Sequence, residues 1–100
     1  MAFVQIIQYR TSRPEEVRAL GEEMRGRAST DTAPVRVTVC KDRDQADGYV
    51  TVAEFSSYER AMANSGAGAT QEFAGRMREL CDGPPTFFNL DVIDTFESAG

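Results

Sequence analysis

The chain has no His, so what chemistry it can do rests on carboxylates, phenols, amides and thiols. Without His there is no Ser-His-Asp triad, no Cys-His pair and no imidazole ligand for a metal. A general base would have to be a carboxylate such as Glu54, a phenol such as Tyr58, or water. Gln5, Asn64 and Asn89 carry neutral amides, which orient a ligand carbonyl or hydroxyl inside an apolar pocket. The same amides equally suit strand ends and helix breaks, where they bond backbone. Tyr9 and Tyr49 add two further phenols, as rim or core residues. Arg10, Arg36 and Arg76 are solvated cations, any of which could hold an anion if it bordered a pocket. Cys40 and Cys81 show neither metal spacing nor a CxxC pattern and read as reduced thiols. The mixed-charge run 41–47 lacks the glycine and terminal acid of a calcium loop. No metal and no cofactor is expected.

Composition narrows the field. One hundred residues make one domain, spanning 1–100. Lys plus Arg number 11 against 16 Asp plus Glu, a net charge of −5 that argues against a nucleic-acid partner. No apolar run nears the ~20 residues that cross a bilayer, and the first ten residues lack the form of a signal peptide. The expectation is a soluble cytoplasmic protein with no membrane partner.

The elements that must position these groups follow from periodicity. FVQIIQYR, residues 3–10, is β-branched and aromatic and predicts a strand. Ser12 and Glu15 form a capping box that opens a helix over about 13–29, with Val17, Leu20, Met24 and Ala28 as its apolar stripe. Val35, Val37 and Val39 alternate with polar neighbours in a second strand. A charged hairpin loop ending at Gly48 leads to a third, Tyr49 to Phe55. Ser56 and Glu59 suggest a second capping box, with a helix from about Ser57 whose inner face carries Tyr58, Ala61 and Met62. Residues 65–69 interrupt it, a plain break or a mobile lid, and Thr70 caps a restart with Phe73, Met77 and Leu80 inward. A last strand, TFFNLDVIDTF, runs from Thr86 to Phe96. The order β-α-β-β-α-β is the ferredoxin-like α+β pattern, a four-stranded antiparallel sheet with two helices on one face.

Helices cover only one face of such a sheet. Val4, Ile6, Val50, Val52, Phe88, Leu90 and Val92 fall on the other. Leaving them wet would forfeit roughly 10 kcal/mol at ~25 cal/mol per Å². The simplest cover is the same face of a second copy, so a homodimer is expected.

The stretch YVTVAEFSSYERAMANS, residues 49–65, continues into Thr70-Gln71-Glu72-Phe73. It resembles the dimeric α+β barrel superfamily, and within it the antibiotic biosynthesis monooxygenase-like branch. That branch typically has Trp where this chain has Phe55, and often His where it has Asn64. The haem-degrading branch is similar in fold only, since its proximal His has no counterpart here. The resemblance implies a ligand pocket between the sheet and its helices, with Phe55 and Asn64 beside it. Gln5, Tyr9, Tyr49, Met62, Phe73 and Asn89 complete the candidate substrate-binding set, and Asn64, Glu54 and Tyr58 the catalytic one. The implied activity is cofactor-independent oxygenation of an aromatic or polyketide-like small molecule. The alternatives are a non-catalytic small-molecule-binding or accessory dimer, or a non-redox cyclase or isomerase on the same scaffold.

Overall fold

The structure, a computed structural model, describes residues 2–26 and 33–98. Its elements are β1 (Phe3–Arg10), α1 (Pro14–Arg25), β2 (Arg36–Lys41), β3 (Gly48–Phe55), α2 (Tyr58–Gly66), α3 (Gly68–Leu80) and β4 (Thr86–Asp91). The strands form one antiparallel sheet in the order β2-β3-β1-β4. This is the expected ferredoxin-like α+β arrangement, with the second helix divided in two.

β1 lies at the centre and sets both registers. It pairs Phe3 with Phe55 and Tyr9 with Tyr49 on one side, and Phe3 with Asp91 and Gln8 with Thr86 on the other. Alternation then sends Phe3, Gln5, Ile7 and Tyr9 to the face that meets the helices, and Val4 and Ile6 to the opposite face. Phe3, Tyr9, Ala53 and Phe55 are buried there together with Leu20 and Ala61 from the helices. α2 seats on β3, its Tyr58 ring meeting Phe3 edge-on at 5.3 Å. α1 packs on α3, where Arg76 pairs with Glu23. On the opposite face Phe88 and Leu90 are exposed beside half-buried Val4, Ile6, Val50 and Val52.

Several boundaries differ from the sequence expectation. α1 starts without a cap from Ser12; Arg13 holds the N-cap position with no side-chain bond, and the preceding Thr11 takes up the turn instead. Its hydroxyl accepts from the Arg13 N–H at 3.0 Å and donates to the Leu80 carbonyl at 2.6 Å. Its backbone N–H donates to the Asp47 carbonyl at 3.0 Å. One buried threonine thus joins the end of β1, the end of α3 and the β2–β3 hairpin. Ser57, not Ser56, caps α2, accepting from the Arg60 N–H at 3.1 Å. The helix break is a single extended residue, Ala67, and α3 restarts there with no side-chain cap, so Thr70 lies inside the helix. Gln71 secures the break by donating to the Ser65 carbonyl at 2.6 Å. β4 stops at Asp91 and not at Phe96, because Asp91 pairs with the first residue of β1. One further bond, Val92 N–H to the Ala2 carbonyl at 3.0 Å, ends the ladder. The expected extension of α1 through Ala28 to residue 29 lies outside the described residues. Gly48 is required by close approach: a Cβ there would come within 2.8 Å of the Gln45 Cβ.

Replacing Thr11 by Val keeps the shape and removes the hydroxyl, leaving the Leu80 carbonyl and Arg13 N–H without their partner. A loss of about 2 kcal/mol is expected in urea unfolding. Thr11→Ser keeps both bonds and most of the stability.

Candidate functional site

The helices cover the middle of the sheet and leave both flanks of the same face open. On the β4 flank Phe87 is 52% exposed, and Asn89 is exposed beside it on the same face. On the β2 flank Val37 and Val39 are exposed. Between these flanks the aromatic candidates divide. Tyr9 and Phe55 are buried and serve as core, while Tyr49 is half-buried and stacks on Tyr9 with centroids 5.8 Å apart.

Two of the predicted amides meet. Gln5 Nε2 donates to Asn89 Oδ1 at 3.1 Å across the β1–β4 pair. This side-chain bond replaces the backbone bonding that strand-end amides would otherwise seek. It holds two neutral carboxamides side by side next to Ile7 and Phe87 at the open β4 flank. Among the described residues, Gln5 Oε1 and Asn89 Nδ2 take no further partner, so an acceptor and a donor remain for a ligand. Asn64 is half-buried near the end of α2, one turn after buried Ala61 and two after Tyr58 on the same helical stripe. Its carboxamide takes no hydrogen bond among the described residues. Met62 is exposed, and Phe73 is half-buried on α3.

Glu54 is placed differently from what a base in this site requires. It pairs in register with Val4 and therefore lies on the opposite face of the sheet from Phe55. There it meets Arg36, whose Nε is 3.5 Å from its carboxylate. The period-two alternation separates neighbours 54 and 55 by the thickness of the sheet. Tyr58 is on the helix side, but its ring is engaged with Phe3 and half exposed.

Two clefts open away from the Gln5–Asn89 pair. One of about 330 Å³ runs between α1 and α3, bordered by Glu16, Glu23, Arg76 and Glu79. The other, about 360 Å³, lies at the sheet end between the hairpin and the loop after α3, and takes in Tyr9, Tyr49, Arg10, Asp42 and Asp82. At that end Arg10 donates to Asp47 at 3.0 Å, which raises the guanidinium and holds the carboxyl below the usual range. Thr11 and the Gln5–Asn89 pair as a bonded unit are what sequence reasoning missed. Only the strand register, which puts 5 opposite 89, would have found the pair.

Burial pushes the Tyr9 phenol up, against the weaker pull of the Thr51 hydroxyl, which donates to it at 3.4 Å. Burial, aided by Asp82, also pushes the Cys81 thiol up. Cys40 is exposed on β2.

No known family model matches the sequence, and no curated protein matches it. Solved structures do. SnoaB, a cofactor-independent oxygenase from Streptomyces nogalater, superposes with a TM-score of 0.81 at 14% identity, over 97% of this chain and 98% of that one. A variant of it with an asparagine replaced by alanine gives 0.82 over the same shares. Rv0793 from Mycobacterium tuberculosis gives 0.79 at 14% identity, over 97% and 100% of the two chains. An antibiotic biosynthesis monooxygenase gives 0.73 at 10% identity, over 94% and 100%. The chain therefore has the fold of the antibiotic biosynthesis monooxygenase-like proteins. Among the described residues no helix is long and apolar enough to cross a membrane.

The phenol of Tyr9 sets a pH dependence. Its native pKa lies above the unfolded value near 10. The folded state therefore keeps its proton longer, and the stability this gives is full below pH 10 and falls as pH climbs through the native value. In a Cys81→Ser background, which removes the thiol that titrates with the same sign, unfolding free energy should drop between pH 9 and 11. Adding Tyr9→Phe should flatten that drop.

Proposed function

We propose that this chain is the protomer of a homodimeric, cofactor-independent, monooxygenase-like enzyme. Its substrate is an aromatic or polyketide-like small molecule bound on the helix side of the sheet. The observation that carries the reading is the pair of neutral amides, Gln5 and Asn89, held beside Ile7 and Phe87 on a fold shared with an oxygenase. Such a surface suits a planar, uncharged ligand with a carbonyl or hydroxyl at its edge. In this chemistry an activated methylene loses a proton, its carbanion passes an electron to dioxygen, the carbon radical and superoxide join and are protonated to a hydroperoxide, and cleavage of its O–O bond with loss of the remaining C–H proton releases water and leaves the carbonyl. The balance is CH2 plus O2 to C=O plus H2O. The chain's part is to bind, orient and stabilise the enolate oxygen, for which the unoccupied Asn64 N–H donors are suited. With Glu54 behind the sheet, the proton leaves to water at the open flank.

The dimer forms through the opposite face, where Val4, Ile6, Val50, Val52, Phe88 and Leu90 make a continuous apolar surface. The reduced thiols suit a cytoplasmic setting. A non-catalytic binding module is the second reading. It is favoured by one observation: the helix side of the sheet carries charge only at its corners, at Lys41 and Asp91 by register.

An oxygen electrode with 1,8-dihydroxy-9-anthrone tests the activity. One dioxygen consumed per quinone formed is expected, with Asn64→Ala lowering kcat by about 100-fold and Asn89→Leu raising KM. Saturable binding with no uptake above the blank would select the binding module. Sedimentation equilibrium should give twice the 11.0 kDa of the chain, and Ile6→Glu should give a monomer.

A further inference from the structure

Gln71 is exposed in the first turn of α3, yet it bonds across the helix break in two ways. Its side-chain Nε2 donates to the Ser65 carbonyl at 2.6 Å. Its backbone N–H donates to the Ala67 carbonyl at 3.0 Å. A further bond runs from the Ala67 N–H to the Asn64 carbonyl at 3.1 Å. The last carbonyls of a helix have no partners within it. In α2 those of Asn64 and Ser65 are met from the break and beyond it, the second by a side chain.

Packing alone does not fix this joint. α2 packs on β3, while α3 packs on α1. A Cβ added at Gly66 or Gly68 would meet nothing within 4 Å, so no neighbour crowds either side of Ala67. The joint is held by hydrogen bonds, and the Gln71 carboxamide supplies the one that comes from a side chain. Asn64 lies in the turn so held. A donor that stabilises a developing oxyanion must be in place before the charge forms, to within about 0.5 Å.

We infer that Gln71 is a positioning residue: by holding the Ser65 carbonyl it fixes the last turn of α2, and with it the Asn64 carboxamide, in the geometry the reaction needs. The inference rests on the role given to Asn64 above.

Three substitutions test it. Gln71→Met keeps the length and loses the donor, Gln71→Glu replaces the donor by an anion, and Gln71→Lys keeps both reach and donor. One readout needs no activity. The side-chain N–H signals of Asn64 are followed in a nitrogen–proton correlation spectrum, assigned by their loss in Asn64→Ala, together with amide exchange at Ala67. In Gln71→Met and Gln71→Glu the Asn64 signals should move or broaden, and Ala67 exchange should quicken about tenfold. Gln71→Lys should return both toward the parent. The other readout is oxygen uptake with 1,8-dihydroxy-9-anthrone. In the two donorless variants kcat should fall about tenfold with KM unchanged, the mark of a loss felt in the transition state. Unchanged Asn64 signals and Ala67 exchange in both donorless variants would overturn the positioning role, whatever the activity. So would an unchanged kcat in both, where Asn64→Ala lowers it. A parent with no uptake overturns the oxygenase reading instead, and the spectra alone then decide whether Gln71 holds Asn64.

Discussion

β1 is hydrogen-bonded on both sides, and the rest of the molecule is arranged around that fact. A central strand has no free edge, so its alternation is imposed on both neighbours. Phe3, Gln5, Ile7 and Tyr9 must then stand level with Phe55, Ala53, Thr51 and Tyr49 on one side. On the other, Ile7 stands level with Phe87 and Gln5 with Asn89. A slip of one residue would turn Phe3 and Tyr9 out of the core and carry Val4 and Ile6 into it. The core, the amide pair and the open apolar face are three results of a single register.

The helices read that register from one side only. The three short helices α1, α2 and α3 cannot span four strands. They bury the aromatic centre and stop short of both edges. What would be a defect in a lone protomer is what makes the face usable: one flank meets solvent beside two amides, the other meets an unpaired edge.

Much of this was legible from residue patterns. The β-α-β-β-α-β order, the inward stripe of α1 and the two-faced character of β1 and β3 all follow from local periodicity, which tertiary packing here reinforces. The caps were harder. Ser12 and Ser56 stand three residues before Glu15 and Glu59, yet it is the hydroxyls of Thr11 and Ser57 that accept the N–H groups at the starts of α1 and α2. β4 was over-extended because TFFNLDVIDTF is β-prone throughout, while a strand lasts only as long as its neighbour and β1 begins at Phe3. Among the site residues, Gln5 and Asn89 were named separately; that they bond each other depends on a pairing 84 residues apart in sequence. Glu54 was misplaced for the opposite reason, since adjacency to Phe55 in sequence means opposition across the sheet.

The central position of β1 also has a cost in time. Its partners are β3, about 45 residues away, and β4, about 80 residues away, so no local hairpin can shelter it. During synthesis one edge of β1 waits for about half the chain and the other for nearly all of it. Contacts of such long separation fold slowly and leave the strand open to wrong pairing. The Thr11 bonds to Asp47 and Leu80 close the same circuit, so the junction at the end of β1 can lock only when the C-terminal half has arrived.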